Sequence, residues 1–471
     1  MSAEIATPQA NYRPVKISAP RYRFRKIPLY NNGNNALIVP AGATVQSQFK
    51  IGADVYNLKR SFVSYSGTAP ASGVGVYNWL VQDAPEAYDL IQFTDQGSLP
   101  IANIQYAKKY ARITRKLKTK FEKFMTMDPT CALNPSNGLI TSVASILPAV
   151  DSRGGNGIGN LPASNYVECQ YVQVGANNAP LTWTRQIPLE VYGDSIFETD
   201  RDQYFGRDMY LNGNMGNGAY IVHHQLIQLL AFNQQISLSN MYLYLAVEVN
   251  DEICMGLKQK YLSSGLTQMI QYPYSIRLPS SSTLGQTGVA NLTYIIQPSN
   301  GIYLRKITYQ AYTALNGEQG NTLMDCSNYN GQRISTYQTS MDSQPLQDQY
   351  LNCALATATA VNEDDWRENQ KYCIGSVIQN LQQYQSMWFH IDRFGEEDTK
   401  TNIQQENLVC GLDLNIARTW GVQANTCVFA GNLQHYIFAD VQRELTVSAQ
   451  GGIQFDLSKN RDVQAASVRT Q

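Results

Sequence analysis

The chain has 471 residues, 36 Lys and Arg against 37 Asp and Glu, a formal net charge of −1 and only 15% charged residues, well under the roughly 25% of an average soluble protein. That balance leaves no global field to gather nucleic acid or a membrane surface, so any such contact has to be local. The length exceeds one core and suits two domains of roughly 200 residues or more, while a surface polar without charge and rich in Tyr (30 residues) suits extensive protein contacts better than a freely diffusing enzyme.

The opening Met1-Ser-Ala-Glu-Ile-Ala-Thr-Pro8 has no basic segment followed by an apolar run. No stretch approaches the ~18 apolar residues of a membrane span, so neither the usual secretion signal nor a transmembrane segment is expected. Residues 1–20, with Pro8, Pro14 and Pro20, read as an N-terminal arm. Six bases and no acid lie between Arg13 and Lys26, namely Arg13, Lys16, Arg21, Arg23, Arg25 and Lys26. Residues 21–27 alternate, which predicts a strand with Arg21, Arg23 and Arg25 on a basic face and Tyr22 and Phe24 on a packed one.

Strands are expected near 36–39, 44–51, 56–65 and 77–81, with a Gly/Ala/Ser/Pro loop at 66–76. Between Ile101 and Phe124 the period changes. Tyr110, Ile113, Leu117, Phe121 and Phe124 fall at helical steps, and Lys108, Lys109, Arg112, Arg115, Lys116, Lys118, Lys120 and Lys123 cover the remainder, predicting a basic amphipathic helix. The Asn-, Gly-, Ser- and Pro-rich stretch 131–177 predicts a long loop facing a partner or the surroundings. Strand and short-helix patterns return over 183–197 and 210–230. Met241–Val249 then closes the first unit as a core strand.

Asp251 to about Ser264 reads as a connecting helix with Asp251 and Glu252 at its positive end. The plan then repeats, with strands near 268–277, 291–297 and 302–312, a loop region at 313–345, a partly helical segment to about 383, and strands within 387–392, 408–418 and 426–438. A hairpin closes the chain, Leu445–Ala449 and Ile453–Leu457 about Gly451-Gly452. The stretch Ile302-Tyr-Leu-Arg-Lys-Ile-Thr-Tyr-Gln-Ala-Tyr312 is a near copy of Val55-Tyr-Asn-Leu-Lys-Arg-Ser-Phe-Val-Ser-Tyr65. Aligning Leu304 with Leu58 lays Arg305-Lys306 on Lys59-Arg60 at an offset of 304 − 58 = 246 residues, about half the chain. One unit used twice explains such an offset. Two successive units of many short antiparallel strands predict sandwiches or jelly rolls.

The eight cysteines (131, 169, 254, 326, 353, 373, 410 and 427) are scattered without a CxxC, as expected of free thiols in a reducing compartment. No G-x-S-x-G, H-E-x-x-H or Walker loop is present, and the Gly run at 154–159 lacks dinucleotide-binding spacing. Trp388, His390 and Asp392 would share a strand face near Glu396-Glu397-Asp398 and could supply metal or acid–base groups, but they read as a satisfied strand-end His beside a solvated acidic loop. His223-His224 point apart and chelate poorly. Asp200-Arg201-Asp202 and Glu363-Asp364-Asp365 could hold a hard cation, yet they read as loop or helix-start charges. The sequon Asn291-Leu-Thr293 falls in a predicted strand and is discounted. No enzyme activity, cofactor or metal is therefore expected. The basic arm and helix could attract phosphates, present a solvated or stapling face, or meet acidic patches on neighbouring subunits.

With its duplicated β units, the segment Trp183-Thr-Arg-Gln-Ile-Pro-Leu189 leading to Ile196-Phe197, and the closing run from Gln434-His-Tyr-Ile-Phe438 to Leu457, the chain resembles double jelly-roll major capsid proteins. The likeness is greatest to those of virophages, polinton-like viruses and related eukaryotic DNA viruses. It implies an all-β fold with a few inserted helices, made of two tandem eight-stranded antiparallel jelly rolls. Their bounds are 21–250 and 266–457, joined by a helix at 251–265, after an arm at 1–20 and before a tail at 458–471. It also implies homotrimeric pseudo-hexagonal capsomers that tile the icosahedral shell of a double-stranded DNA virus, in a virion assembled from protein made in the host's reducing cytoplasm. The implied partners are other copies of the chain, penton and minor or cement proteins, with non-specific genome contact as a further option. The loops at 131–177 and 313–345 would lie on the outward crown. Arg13, Lys16, Arg21, Arg23, Arg25, Lys26, Lys108, Lys109, Arg112, Lys116 and Lys120 would face the interior or a neighbour. The competing readings are a β-sandwich carbohydrate-binding or adhesin protein and a β-sandwich hydrolase using Asp392, Glu396 or His390.

Overall fold

Alternation of inward and outward side chains makes the long segments strands. Within Tyr56–Ala69 the residues Ser61, Val63, Tyr65, Gly67 and Ala69 are buried while their neighbours are not, and one sheet face is thereby turned to the core. The computed structural model describes residues 19–30, 32–41, 43–70, 76–81, 88–96, 99–107, 110–111, 171–173, 181–216, 221–225, 228–231, 235–279, 288–297, 301–313, 334–352, 390–394, 412–414, 416–426 and 433–456.

The first half contains β1 (Tyr22–Pro28), β2 (Leu37–Val39), β3 (Thr44–Ile51), β4 (Tyr56–Ala69), β5 (Val76–Val81), β6 (Tyr88–Asp95), β7 (Pro100–Gln105), β8 (Tyr171–Gln173), β9 (Leu181–Pro188), β10 (Met209–Gly216), β11 (Ile221–Gln225), β12 (Gln228–Ala231) and β13 (Ile236–Glu248). Helix α1 (Asp251–Ser263) follows. The second half contains β14 (Leu266–Pro279), β15 (Gly288–Ile296), β16 (Tyr303–Thr313), β17 (Ile334–Met341), β18 (Gln344–Pro345), β19 (Leu351–Asn352), β20 (His390–Arg393), β21 (Leu412–Asp413), β22 (Arg418–Thr426), β23 (Leu433–Ser448) and β24 (Gly452–Asp456).

Among the described residues, strands pair only within their own half. The first half forms sheets β1-β13-β4-β9 and β3-β10-β6-β7, with a third sheet, β12-β11-β5-β8. The second forms β14-β23-β16-β20 and β15-β22-β17-β18. Numbering the eight strands of the two principal sheets in chain order gives the same orders in both halves, 1-8-3-6 and 2-7-4-5. This is the jelly-roll arrangement, and the chain has the double jelly-roll fold.

The sequence repeat marks the third strand of each half, β4 and β16. In both, the pairing register slips at the basic pair. On β13 it shifts between Tyr244 and Ala246, opposite Phe62 and Asn57, and on β23 it shifts opposite Leu304 and Lys306. Beyond the slip, Val63 faces Leu243 and Tyr309 faces Ile437, and 63 + 246 = 309. A bulge conserved in place re-aims the side chains next to it, so each half turns a cation out of the regular ladder at the same point.

Several expectations need correcting. The helix expected from Ile101 begins later, because Pro100–Gln105 pairs with β6 as a strand, and Tyr106, at φ 54°, ends it. The positions of Lys108, Lys109, Arg112, Lys116 and Lys120 lie outside the described residues. The loop expected over 313–345 contains β17, whose outward Thr, Ser and Gln read as loop but whose backbone pairs with β22 over its length. Strand β6 was not expected at all. Helix α1 forms where expected, with the Asn250 side chain accepting from Glu252 N at 3.1 Å. Below it, Gly206 holds φ 65°, and a Cβ there would stand 2.3 Å from the Tyr261 ring, so only glycine lets the helix settle.

Candidate assembly surfaces

The two halves meet through a buried cluster of Lys, Asp and Tyr. Lys306 leaves β16 at the bulge and places Nζ 2.5 Å from Asp194 Oδ2 of the first half and 3.3 Å from Asp440 Oδ2 of β23. The Tyr110 hydroxyl of the first half, with one proton to give, donates to Asp440 Oδ1 at 2.8 Å and lies 3.2 Å from Asp194 Oδ2. Gln271, its amide nitrogen turned toward Asp194, donates to Oδ1 at 3.1 Å and accepts from Arg305. Lys306, Asp194, Asp440 and Tyr110 are all buried. Burial, with Asp194 and Asp440 alongside, raises the Tyr110 phenol well above its ordinary value, so it stays a donor. Asp194 sits at φ 52°, a conformation Asp tolerates, and its N–H donates to Glu198 Oε2 at 2.8 Å. Tyr106 on Tyr436 and Tyr110 on Phe438, each 5.0 Å between ring centroids, flank the ions, and Ser275 donates to the Gln105 carbonyl at 3.0 Å. A charge cluster with members from both halves fixes how the halves dock, because any shift would leave an unpaired ion in the interior.

The outer face of β1-β13-β4-β9 is built differently. Tyr22, Phe24 and Lys26 of β1 point outward, whereas Arg23 and Arg25 share the strand face of the core residue Ile27. This reverses the expected assignment of a packed aromatic and an open basic face. Alternation groups these residues correctly, but β1 is an edge strand whose first residues run past the core, so its arginines still reach water. Arg25 pairs there with Asp54. On the outer face Phe24, 52% exposed, meets Phe62 edge-on, Phe62 stacks on Tyr244 at 4.8 Å, and Lys26 lies 3.7 Å over the Tyr242 ring. Arg60, from the β4 bulge, lies over Tyr22 and grips Asp200 with two bonds of 3.2 Å. Burial alone would raise the Asp200 carboxyl, but Arg60 and Asn57 hold it below its ordinary value. Lys59, Arg60, Phe62, Gln186, Glu190 and Asp200 line a depression beside the aromatic stack.

The root of the arm is tied down at three points. Glu248 Oε1 accepts from the backbone N–H of Arg21 (2.8 Å) and Asn250 (2.7 Å), Asn250 Nδ2 donates to the Ala19 carbonyl (3.1 Å), and Tyr22 donates to Asp202 (2.8 Å). Burial raises the Asp202 carboxyl, and the nearby Glu248 charge adds to it. Asn250 thus serves both as helix cap and as tether. Asn250→Ala is expected to cost about 1 kcal/mol, read as a lowered midpoint in thermal denaturation.

Of the other residues singled out in the sequence, three carboxylates are held by neighbours. Asp392 accepts from Thr339 (3.1 Å) and Gln347 (3.0 Å) inside the second half, and Asp200 and Asp202 are bound to Arg60 and Tyr22 as above. Trp388, Glu396-Glu397-Asp398, Arg13 and Lys16 lie outside the described residues. Among the described residues, no group of three or more His, Cys, Asp or Glu is arranged to hold a metal, no helix is long and apolar enough to cross a membrane, and Cys254 is a free thiol. Sequence reasoning passed over Asp194 and Asp440 and read Tyr110 only as part of a helix stripe. The one available signal was Lys306, a charge set between the apolar residues of a core strand.

No protein-family model matches the chain, and no curated protein matches it by sequence. Its fold is similar to that of solved viral capsid chains. Against the mavirus major capsid protein the TM-score is 0.51 at 9% identity, covering 100% of this chain and 97% of the other. Against a chain of the Sputnik virophage it is 0.57 at 11% identity, covering 100% and 95%. Against a chain of the PBCV-1 virus capsid it is 0.52 at 10% identity, covering 95% and 100%. At these identities the similarity is one of fold, shared from end to end.

Proposed function

We propose that the chain is a viral major capsid protein and not an enzyme. The observation that carries this reading is the pair of jelly rolls of identical strand order, locked by a buried ionic junction, in a chain that matches capsid proteins over its full length. The units are an arm at 1–20, jelly rolls at 21–250 and 266–457, a linking helix at 251–265 and a tail at 458–471. Three copies around an axis bring six similar wedges together, and such a homotrimer is a near-hexagonal tile for an icosahedral shell around a double-stranded DNA genome. The low charge supports a life in contact with other copies, with penton proteins and with minor or cement proteins. The bases of the arm, from Arg13 to Lys26, and those from Lys108 to Lys120 face the interior or an adjoining tile, where they meet phosphate or acidic protein surface.

The purified chain is expected to run at three times its 52.6 kDa mass in light scattering and to appear as hexagonal plates in negative stain. A monomer at high concentration would overturn the proposal.

A further inference from the structure

We infer that the junction between the halves is self-reacting: Lys306 Nζ condenses with the Asp194 carboxyl group to form an amide, Asp440 carries the protons, and one water is released. The product is a covalent staple between the first half and the second.

The reactants are already in place. Lys306 Nζ stands 2.5 Å from Asp194 Oδ2, inside the about 2.7–2.9 Å usual for an N–H···O contact between ions, and Asp440 Oδ2 lies 3.3 Å from the same nitrogen. One carboxylate is enough to neutralise a lysine, so the second is available for another task. The three side chains are 8%, 3% and 2% exposed, and the ring pairs Tyr110–Phe438 and Tyr106–Tyr436 wall them in. In water an ammonium and a carboxylate remain ions and do not condense. A buried site disfavours the charged pair, and passing a proton from Lys306 to Asp440 leaves a neutral amine, the form that attacks. Fixed in contact, the two groups meet without the entropy cost of a bimolecular step.

The step balances without any outside reagent. The Nζ lone pair forms a bond to Asp194 Cγ, and the Cγ–Oδ1 π electrons move onto Oδ1, where the Gln271 amide donates at 3.1 Å and stabilises the developing charge. The Cγ–Oδ2 bond then breaks. The two protons lost by the ammonium end on Oδ2, which leaves as water. Asp440 Oδ2 takes them from Nζ, and the Tyr110 hydroxyl, 2.8 Å from Asp440 Oδ1 and 3.2 Å from Asp194 Oδ2, hands them across. Asp440 and Tyr110 finish as they began. Asp194 is the acceptor because it is nearer to the amine and has Gln271 on its far oxygen. Before the bond forms, charge and packing alone hold the contact; afterwards a loop of 112 residues is closed through side chains, and the halves stay tied even when unfolded.

The test is intact-mass spectrometry of the purified full chain, followed by tryptic mapping, with circular dichroism to verify folding. The parent should weigh about 18 Da less than its sequence, one water, and should yield residues 186–201 joined to residues 306–333, because trypsin cannot cut after an acylated Lys306. Lys306→Arg should keep the full mass of its sequence. Asp440→Asn should slow the loss of water by about 100-fold, and Tyr110→Phe, which keeps its ring against Phe438, should slow it too. A folded parent that keeps its full mass on prolonged incubation, or that loses water without joining those peptides, overturns the proposal. Residues 306–333 joined to 419–443 would overturn Asp194 as the acceptor. A link that forms at the parent's rate in Asp440→Asn would overturn its part as proton carrier.

Discussion

Lys306→Met is expected to destabilise the folded chain by about 3–5 kcal/mol, the cost of leaving a buried charge without its partner. Asp194 and Asp440 are each 2% exposed and share this one ammonium group. With it gone, two buried carboxylates would face each other without the cation they share. The loss falls on the contact between halves, so urea unfolding followed by circular dichroism and by tryptophan fluorescence should separate into two transitions where the parent shows one. Adding Asp194→Asn and Asp440→Asn to Lys306→Met should recover most of the loss, since a neutral replacement of a buried ion cluster is often close to cost-free. A Lys306→Met chain that unfolds within about 1 kcal/mol of the parent would show that packing of Tyr106 and Tyr110 suffices.

His435 should give the chain a pH-dependent stability of about 3 kcal/mol. It is fully buried on β23, with Nδ1 2.6 Å from the Tyr309 hydroxyl, and burial pushes its pKa from 6.5 down to about 4. In the unfolded chain the imidazole takes a proton once the pH falls below 6.5, whereas the native one stays neutral until about 4. Stability therefore drops as pH is lowered through that interval and levels off beneath it, by about 1.4 kcal/mol for each unit between the two values. Carboxylates titrate in part of the same range, so the measurement is the difference between parent and His435→Gln in denaturant melts from pH 7.5 to 4. Equal slopes for the two chains would rule out the mechanism.

Much of the architecture was legible because the duplication left a mark where chemistry is unusual. A basic pair next to a strand-forming aromatic run is rare enough to be noticed twice, at Lys59-Arg60 and Arg305-Lys306, and its spacing divided the chain. Helix α1 announced itself through Asp251 and Glu252, and the closing hairpin through Gly451-Gly452. Strands β6 and β17 were hidden for a common reason. The outward positions of β6 carry Asp89 and Gln92 beside Leu90, and those of β17 carry Thr336, Gln338 and Ser340, polar residues that read as loop until pairing with β10 and β22 supplies the backbone partners. The faces of β1 were hidden because a period of two says which residues stand together, not which side is wet. The junction was hidden by distance along the chain, with Lys306 lying 112 residues from Asp194, and Tyr110 lying 330 from Asp440. Local pattern carries no information about such pairs.

The ion-locked contact inside the chain has a bearing on how the chain comes apart. Lys306, Asp194 and Asp440 are buried together, and partial opening would strand a charge in the interior. The seam should therefore give way in one step, both halves parting at once, with no half-open form along the way.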